Sequence, residues 1–207
     1  MMKKSKNLND LIDALTILPG IGRKSAQRMA YQLIRSNKEL TIDLADKLNK
    51  ITSNIDSCKI CGIYLDIEDI DKQINGECQI CIEQNKDPSK ICVTESPADA
   101  YTIDESTNYN GYFFVLDGNL SPLDGRGPIE VGIKRLEKNL KERNINELIL
   151  ATSTTVEGEA TAHYVQQLAS KMQIKVSRIA FGIPLNGELG YLDSETISHA
   201  FNERKII

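Results

Sequence analysis

Residues 91–100 read Ile-Cys-Val-Thr-Glu-Ser-Pro-Ala-Asp-Ala, a short apolar run that ends in a polar turn. The run Ile91–Thr94 is typical of a buried strand, because it is short, largely β-branched and followed by turn residues. Ser96 and Pro97 then predict the start of a helix, since serine caps helix N-termini and proline is favoured at the first helical position. The stretch therefore predicts a strand that leads into a helix, with Glu95 at the junction.

The same alternation of strand and helix continues downstream. Short apolar runs at Tyr112–Leu116, Leu148–Ala151 and Ile174–Ile179 are separated by stretches with helical spacing. The apolar positions with that spacing are Ile129, Ile133, Leu136 and Leu140, then Tyr164, Val165, Leu168 and Met172. Strands that alternate with helices predict an α/β fold with a mainly parallel sheet. After residue 182 the chain carries loop signals followed by a short helix.

The amino-terminal segment has a purely helical pattern. Its apolar residues recur at three- and four-residue steps and indicate helices on both sides of a turn at Leu18–Gly22, with a third helix before the first cysteine. The positions are Leu8, Leu11, Ile12 and Leu15, then Ala26, Met29, Ala30 and Leu33, then Leu44, Leu48, Ile51 and Ile55.

The turn between the first two helices is a candidate phosphate-binding element. Gly20 and Gly22 flank Ile21, and glycine accepts positive φ without a steric penalty. A helix begins just after them, so unsatisfied N–H groups and the positive end of the helix dipole point outward beside Arg23 and Lys24. Arg28 lies one helical turn further on. A site of this kind suits binding of a nucleic-acid backbone regardless of base sequence. An ordinary helix turn is the alternative.

Charge is distributed unevenly along the 207 residues. The net charge is -4, yet residues 1–50 hold ten Lys or Arg against five Asp or Glu. A positive excess confined to one small segment is expected where that segment contacts phosphates, although a solvated lysine tail gives the same count. No apolar run approaches the roughly 20 residues that span a bilayer, and no apolar stretch follows the basic start. We expect a cytoplasmic protein that is not attached to a membrane.

Four cysteines have the spacing of a metal site. Cys58 and Cys61 form one Cys-x-x-Cys pair, Cys78 and Cys81 form another, and 16 residues separate the pairs. This spacing predicts one structural Zn²⁺ per chain, whose four thiolates leave no open position for water or substrate. Disulfides and a redox role are the alternatives, but a reducing compartment disfavours the first, and neither pair lies between a strand and a helix. Cys92 is expected to be a buried small hydrophobe.

Carboxylates follow several of the predicted strands. Glu95 and Asp117 each come directly after a strand, and Glu157 and Glu159 follow the next strand by a short loop. Ligands of open parallel sheets collect at the carboxyl ends of the strands, and converging carboxylate oxygens hold Mg²⁺. The alternative, equally open here, is that these side chains only favour helix N-termini.

Two local resemblances sharpen these interpretations. Residues 18–28, Leu-Pro-Gly-Ile-Gly-Arg-Lys-Ser-Ala-Gln-Arg, resemble a helix-hairpin-helix DNA-binding motif. One glutamate after a first strand and an acidic pair after a later strand resemble the Toprim domain of primases and topoisomerases. In that domain the later pair is normally two aspartates, so Glu157 and Glu159 argue against phosphoryl-transfer chemistry.

The order of these modules resembles the RecR family of recombination mediators, and the similarity runs over nearly the whole chain. Several strings carry it: Lys24–Arg28, Glu95–Pro97, Leu120–Gly125, Val156–Thr161, and Gly182–Pro184 with Gly187–Leu189. The resemblance implies four segments: a helix-hairpin-helix domain at 1–53, a four-cysteine zinc finger at 54–83, a Toprim domain at 84–178 and an assembly segment at 179–207.

The resemblance also implies partners and site roles. Family members are ring-shaped homotetramers that join RecO or RecF and help load the recombinase at single-stranded gaps, associated with the bacterial nucleoid. Lys24 and Arg28 would contact DNA, single-stranded, gapped or duplex. Glu157 and its neighbours would face RecO.

Three functions remain to be compared. The first is a DNA-binding mediator without catalytic activity. The second is a Mg²⁺-dependent Toprim nuclease or primase-like enzyme that uses Glu95, Glu157 and Glu159. The third is a zinc-ribbon scaffold that binds only protein. The sequence contains no Gly-x-x-x-x-Gly-Lys-Ser/Thr loop, so no nucleotide hydrolysis is assigned.

Overall fold

The structure is a computed structural model that describes residues 5–67, 78–83 and 85–204. The chain divides into two compact units, residues 1–55 and residues 56–207. The predicted zinc-finger segment 54–83 includes residues 68–77, which lie outside the described residues, as do 1–4, 84 and 205–207 at the edges of the other predicted segments.

The first unit is helical, as predicted. Helix α1 spans Lys6–Leu15, α2 spans Arg23–Arg35 and α3 spans Lys38–Asn54. Asn37 caps α3, because its side-chain oxygen accepts a hydrogen bond from the backbone N–H of Glu39 at 3.1 Å. This cap explains why α3 begins well before Leu44, the first position of the predicted apolar pattern.

The core of the first unit is small. Its fully buried side chains are Ile12, Ala26 and Ala30, with Leu8, Leu11, Leu15 and Ile21 packed against them. The two alanines let α1 and α2 approach closely, so the longer side chains of the predicted α2 stripe lie at the rim, where Met29 is 41% exposed. No described residue of α3 is buried.

A parallel four-stranded sheet organises the second unit, as the alternation of strands and helices predicts. Its strands are β3 Asp87–Thr94, β4 Gly111–Val115, β5 Glu147–Ala151 and β6 Lys175–Arg178. Their order in the sheet is β4-β3-β5-β6, and each neighbouring pair is parallel. Strand β3 begins at Asp87, upstream of the predicted start at Ile91. Its first residues lack an apolar pattern, so the sequence did not predict them as strand. A separate two-stranded sheet pairs β1 Ile55–Ser57 with β2 Tyr64–Asp66.

Helices precede, connect and follow the strands of the large sheet. They are α4 Gln79–Ile82, α5 Pro97–Ser106, α6 Ile133–Glu142, α7 Val156–Lys171 and α8 Ser194–Asn202, with 3-10 turns at Pro122–Asp124 and Leu189–Tyr191. The predicted cap of α5 is confirmed, since the Ser96 hydroxyl accepts a hydrogen bond from the Asp99 N–H. Among the described helices, none combines the length and the apolar character needed to cross a bilayer.

Both faces of the large sheet are buried, and alternate residues of each strand serve opposite faces. One face carries Ile91, Val93, Phe114, Leu116, Leu148 and Leu150, and packs against Leu136 and Leu140 of α6 and Ala162, Val165 and Ala169 of α7. The other face carries Cys92, Phe113, Val115 and Ala151, and packs against Ala100 of α5 and the cysteines 58, 61, 78 and 81. The cysteine cluster is therefore part of the core of this unit.

Replacing Phe114 by alanine should strongly destabilise the second unit. Phe114 is fully buried, and removal of a buried aromatic ring costs about 3–5 kcal/mol because transfer energy and packing are both lost. Leu123, which is 98% exposed, provides the control, and Leu123→Ala should change stability by less than about 0.5 kcal/mol. Urea unfolding of both variants checks this, and similar midpoints for the two would contradict the core assignment.

Candidate nucleic-acid interface and metal centre

The turn between α1 and α2 places the predicted glycines at the surface. Gly20 has φ of +76°, a conformation that favours glycine. Gly22 has an ordinary extended backbone, with φ of -76° and ψ of 163°. Of the two glycines, only Gly20 therefore needs its conformational freedom. Gly22 is the N-cap of α2 and carries no side chain that would close this helix end.

The predicted cations lie beside this open helix end. Arg23, Lys24 and Arg28 are all exposed. The Arg23 guanidinium donates a hydrogen bond to the Asp13 carboxylate of α1 at 2.6 Å, an ion pair that the sequence reasoning missed. Within the described part of the chain, Lys24 and Arg28 have no ion-pair partner, so their charge is available to a ligand.

The four predicted zinc ligands come together. Their sulfur atoms all lie within 4.8 Å of one another, and all four residues are buried. Sγ of Cys61 is 3.5 Å from Sγ of Cys78, and Sγ of Cys58 is 3.9 Å from Sγ of Cys81. A tetrahedral ion with zinc–sulfur bonds of about 2.3 Å requires sulfur separations of about 3.8 Å. The thiols are not paired as disulfides, and the arrangement fits a structural zinc site.

Backbone hydrogen bonds favour the thiolate form of two of the four cysteines, Cys58 and Cys78. The backbone N–H of Cys78 donates to Sγ of Cys58, and that of Cys81 donates to Sγ of Cys78, each at 3.3 Å. Hydrogen bonds from Cys61 and the other cluster thiols hold the pKa of Cys58 below its usual value. The pKa of Cys92, by contrast, is raised to about 12 by burial. Cys92 is thus the buried small hydrophobe that the sequence predicts.

The first cysteine pair is fastened to the end of β4. The Cys61 carbonyl accepts a hydrogen bond from the Val115 N–H at 2.6 Å. Gly62 follows with φ of +81°, and a Cβ at this position would lie 2.7 Å from the Val115 carbonyl oxygen and from the Arg135 guanidinium. Only glycine fits there, because Arg135 itself donates to the Val115 carbonyl at 2.8 Å. The cysteine cluster and the sheet therefore share one packed interface.

The predicted carboxylates lie at the carboxyl edge of the sheet, but each has its own environment. Glu95 accepts a hydrogen bond from the Ser153 N–H at 2.5 Å. The Asp117 carboxylate is 3.7 Å from the Arg135 guanidinium. Glu159 pairs with Arg178 at 2.6 Å. Glu157 is exposed at the start of α7.

This geometry does not support the expected magnesium site. Among the residues that the structure describes, the cysteine cluster is the only group of three or more potential metal ligands whose atoms lie within 4.8 Å of one another. The carboxylates do not converge, because Arg135, Arg178 and the Ser153 amide attract them individually. Arg178 was not singled out from the sequence. The sequence feature that could have identified it is its place near the end of the predicted strand Ile174–Ile179, at the sheet edge where acidic residues were expected.

An exposed glycine turn between helices and a parallel sheet with an acidic edge are the features of a Toprim protein with a helix-hairpin-helix unit. Comparison with family models agrees. Residues 8–52 match the RecR helix-hairpin-helix model, residues 89–180 match the Toprim domain model, and residues 182–205 match the RecR C-terminal model.

Curated relatives match the chain at almost full length. One from Methylococcus capsulatus is 43% identical over 99% of both chains. One from Xanthomonas axonopodis pathovar citri is 45% identical over 95% of this chain and 96% of its own. One from Xylella fastidiosa has the same identity and coverage. Each is named recombination protein RecR, and the chain described here belongs to the RecR family.

Replacing Glu159 by glutamine should remove a pH-dependent part of the stability. The hydrogen bond from Arg178 lowers the pKa of Glu159, so the pair stabilises the fold above the carboxylate's unfolded-state pKa. This contribution is lost as the pH falls through the lower folded-state pKa. Because Glu159 is half-exposed, we expect the substitution to lower the free energy of unfolding by about 0.5–1 kcal/mol at pH 7. The difference in this free energy between the variant and the unmodified protein should become smaller below about pH 4.3.

Urea unfolding between pH 3 and pH 8 measures this difference. Glu157→Gln is the matched control on the same helix, because Glu157 has no ion-pair partner among the described residues, and its effect should be a few tenths of a kcal/mol. A Glu159→Gln effect that grows as the pH falls would contradict the role assigned to Arg178.

Proposed function

We propose that this chain is a recombination mediator that binds DNA through the turn between α1 and α2. In this role it acts with RecO and RecF in the bacterial cytoplasm, at the nucleoid, and helps load the recombinase at single-stranded gaps. The observation that carries the proposal is the open N-terminus of α2, exposed beside Lys24 and Arg28, in a chain whose family is that of RecR.

The chemistry of this site favours the sugar-phosphate backbone. The N-terminal amides of α2 and the positive end of its dipole attract a phosphate oxygen. Lys24 and Arg28 lie one helical turn apart on the same face of α2, so both can contact neighbouring phosphates. Such contacts carry no base information. The proposed binding is therefore independent of base sequence, on single-stranded, gapped or duplex DNA.

The double variant Lys24→Ala/Arg28→Ala should weaken DNA binding about tenfold or more at low salt. It should also reduce the slope of log K against log[salt], by roughly 0.7 for each lost phosphate contact on single strands and 0.9 on duplex. Fluorescence anisotropy with labelled gapped and single-stranded oligonucleotides measures both quantities.

The matched control is Lys38→Ala/Lys50→Ala, which removes the same charge from the exposed surface of α3 in the same unit. If both double variants lose affinity equally, the effect is one of net charge, and the turn is not the binding site. Full retention of affinity and slope by the Lys24 and Arg28 variant would also refute the assignment.

We further propose that the cysteine cluster holds one structural Zn²⁺ per chain. Four buried sulfurs at these separations fill a tetrahedral coordination sphere, so the ion would stabilise the fold without reacting with a substrate. Because the cluster packs on the same sheet face as Phe113 and Val115, zinc binding is expected to stabilise the whole second unit.

Replacing Cys78 by serine should lower the zinc content from about one per chain and destabilise the second unit by several kcal/mol. Cys92→Ala is the control, because Cys92 lies in the same buried cluster and is not a proposed ligand. Its zinc content should stay the same. Elemental analysis with thermal unfolding tests this, and an unmodified protein that folds stably without metal would contradict the zinc proposal.

We propose that the chain has no catalytic activity of its own. The Toprim match does not favour the nuclease or primase alternative, because that domain is part of the RecR family. Glu95 and Glu159, two of the three carboxylates required by the alternative, are held by the Ser153 amide and by Arg178. We assign Glu95, Asp117, Glu157 and Glu159 instead to the face that meets a protein partner such as RecO.

The proposed homotetrameric ring is supported by exposed apolar side chains on α3 and in the carboxyl-terminal segment, the latter being the part that the family resemblance assigns to assembly. They are Leu40, Leu44, Leu48 and Ile51 on α3, and Leu185, Leu189, Tyr191 and Phe201 near the carboxyl end, each at least 43% exposed. Burying such side chains between subunits stabilises an assembly. The division into segments 1–53, 54–83, 84–178 and 179–207 also remains our proposal. Family models matched at 8–52, 89–180 and 182–205 support the first, third and fourth segments.

A further inference from the structure

Three oxygen atoms of different chemical type surround the guanidinium of Arg178. One Nη atom is 2.6 Å from the Glu159 carboxylate. The other donates to the Ser153 carbonyl at 3.1 Å and to the Thr152 hydroxyl at 3.5 Å. Carboxylate, backbone carbonyl and neutral oxygen donors form the ligand class that Mg²⁺ and Ca²⁺ prefer. These oxygens are thus of the type that binds a hard divalent cation, and in this chain the guanidinium of Arg178 is the cation that they contact.

The protein holds Arg178 firmly in this position. Its side chain is only 24% exposed, and its guanidinium stacks 4.8 Å from the ring centroid of Phe181. Arg178 contacts the loop that contains Thr152 and Ser153. Glu95 also holds this loop, because its carboxylate accepts a hydrogen bond from the Ser153 N–H. Gly158 also packs tightly against this loop, since a Cβ there would overlap the Ser153 carbonyl oxygen. The loop oxygens are therefore fixed around the guanidinium.

We propose that Arg178 is the built-in cation of this sheet edge and occupies the position where its oxygens would otherwise hold a divalent ion. Magnesium was expected where carboxylates converge at this edge, and Arg178 explains why Glu159 binds a guanidinium there instead. Two roles for Arg178 can be distinguished by removing its side chain. An arginine that only forms a surface ion pair would leave no cation affinity when removed, whereas an arginine that fills a cation site would expose one.

The test is titration of the zinc-loaded Arg178→Ala protein with Mg²⁺ and with Ca²⁺ by isothermal calorimetry. We expect one divalent ion per chain with a Kd on the order of 1 mM, typical of sites with few charged ligands. The added substitution Glu159→Gln should weaken this binding at least tenfold, because it removes the carboxylate ligand. If Arg178→Ala does not fold, Arg178→Gln is titrated instead, since its amide retains a donor for the Ser153 carbonyl.

Arg143→Ala is the matched control. Arg143 also stacks 4.8 Å from an aromatic ring, that of Tyr112, but no carboxylate pairs with it among the described residues. Both single variants lose one positive charge and one ring contact, so equal divalent binding by both would overturn the proposal. Binding by Arg178→Ala alone, abolished by Glu159→Gln, would support it.

A measurement on the unmodified protein gives an independent check. Substoichiometric Mn²⁺ should leave the amide NMR signals of Ser153 and Gly158 unbroadened, because Arg178 already fills the position. Selective broadening of these signals would overturn the proposal. The result is independent of DNA binding by the turn between α1 and α2, so the proposed mediator function stands or fails separately.

Discussion

Burial of the large sheet on both faces is the constraint on which the second unit depends. Helices α6 and α7 cover one face, and α5 with the cysteine cluster covers the other. Because the cysteines are packed among sheet residues, a metal at this cluster would hold one wall of the core in place. The Cys61 carbonyl and Gly62 fix the position of the cysteine cluster on the sheet, because both contact the backbone of β4 at Val115.

The carboxyl edge of the same sheet shows how internal cations change the properties of an acidic surface. Carboxylates that would repel one another without a metal are neutralised individually by Arg135 and Arg178 or hydrogen-bonded to a backbone amide. The pairing with Arg178 lowers the pKa of Glu159, because the guanidinium stabilises the ionised carboxylate. Glu157 remains exposed at this edge, where we propose that a partner protein binds.

The helical unit follows a different principle. Its core is limited to a few side chains, and its proposed binding element lies outside that core at the open end of α2. The stability of the unit and its binding surface are thus set by different residues. The ion pair between Arg23 and Asp13 connects α1 to α2 across the turn. Lys24 and Arg28 remain exposed at this surface, where we propose that they contact phosphates.

The sequence by itself determined the features that depend on local spacing. The alternation of apolar residues predicted the parallel sheet, the two Cys-x-x-Cys pairs predicted the cysteine cluster, and Ser96 with Pro97 predicted a helix start. Each of these patterns follows from backbone geometry over a few residues. Only the tertiary structure decided which groups meet across the chain, such as Arg178 with Glu159. The direction of a side chain at a sheet edge depends on packing between distant segments, which local spacing does not encode.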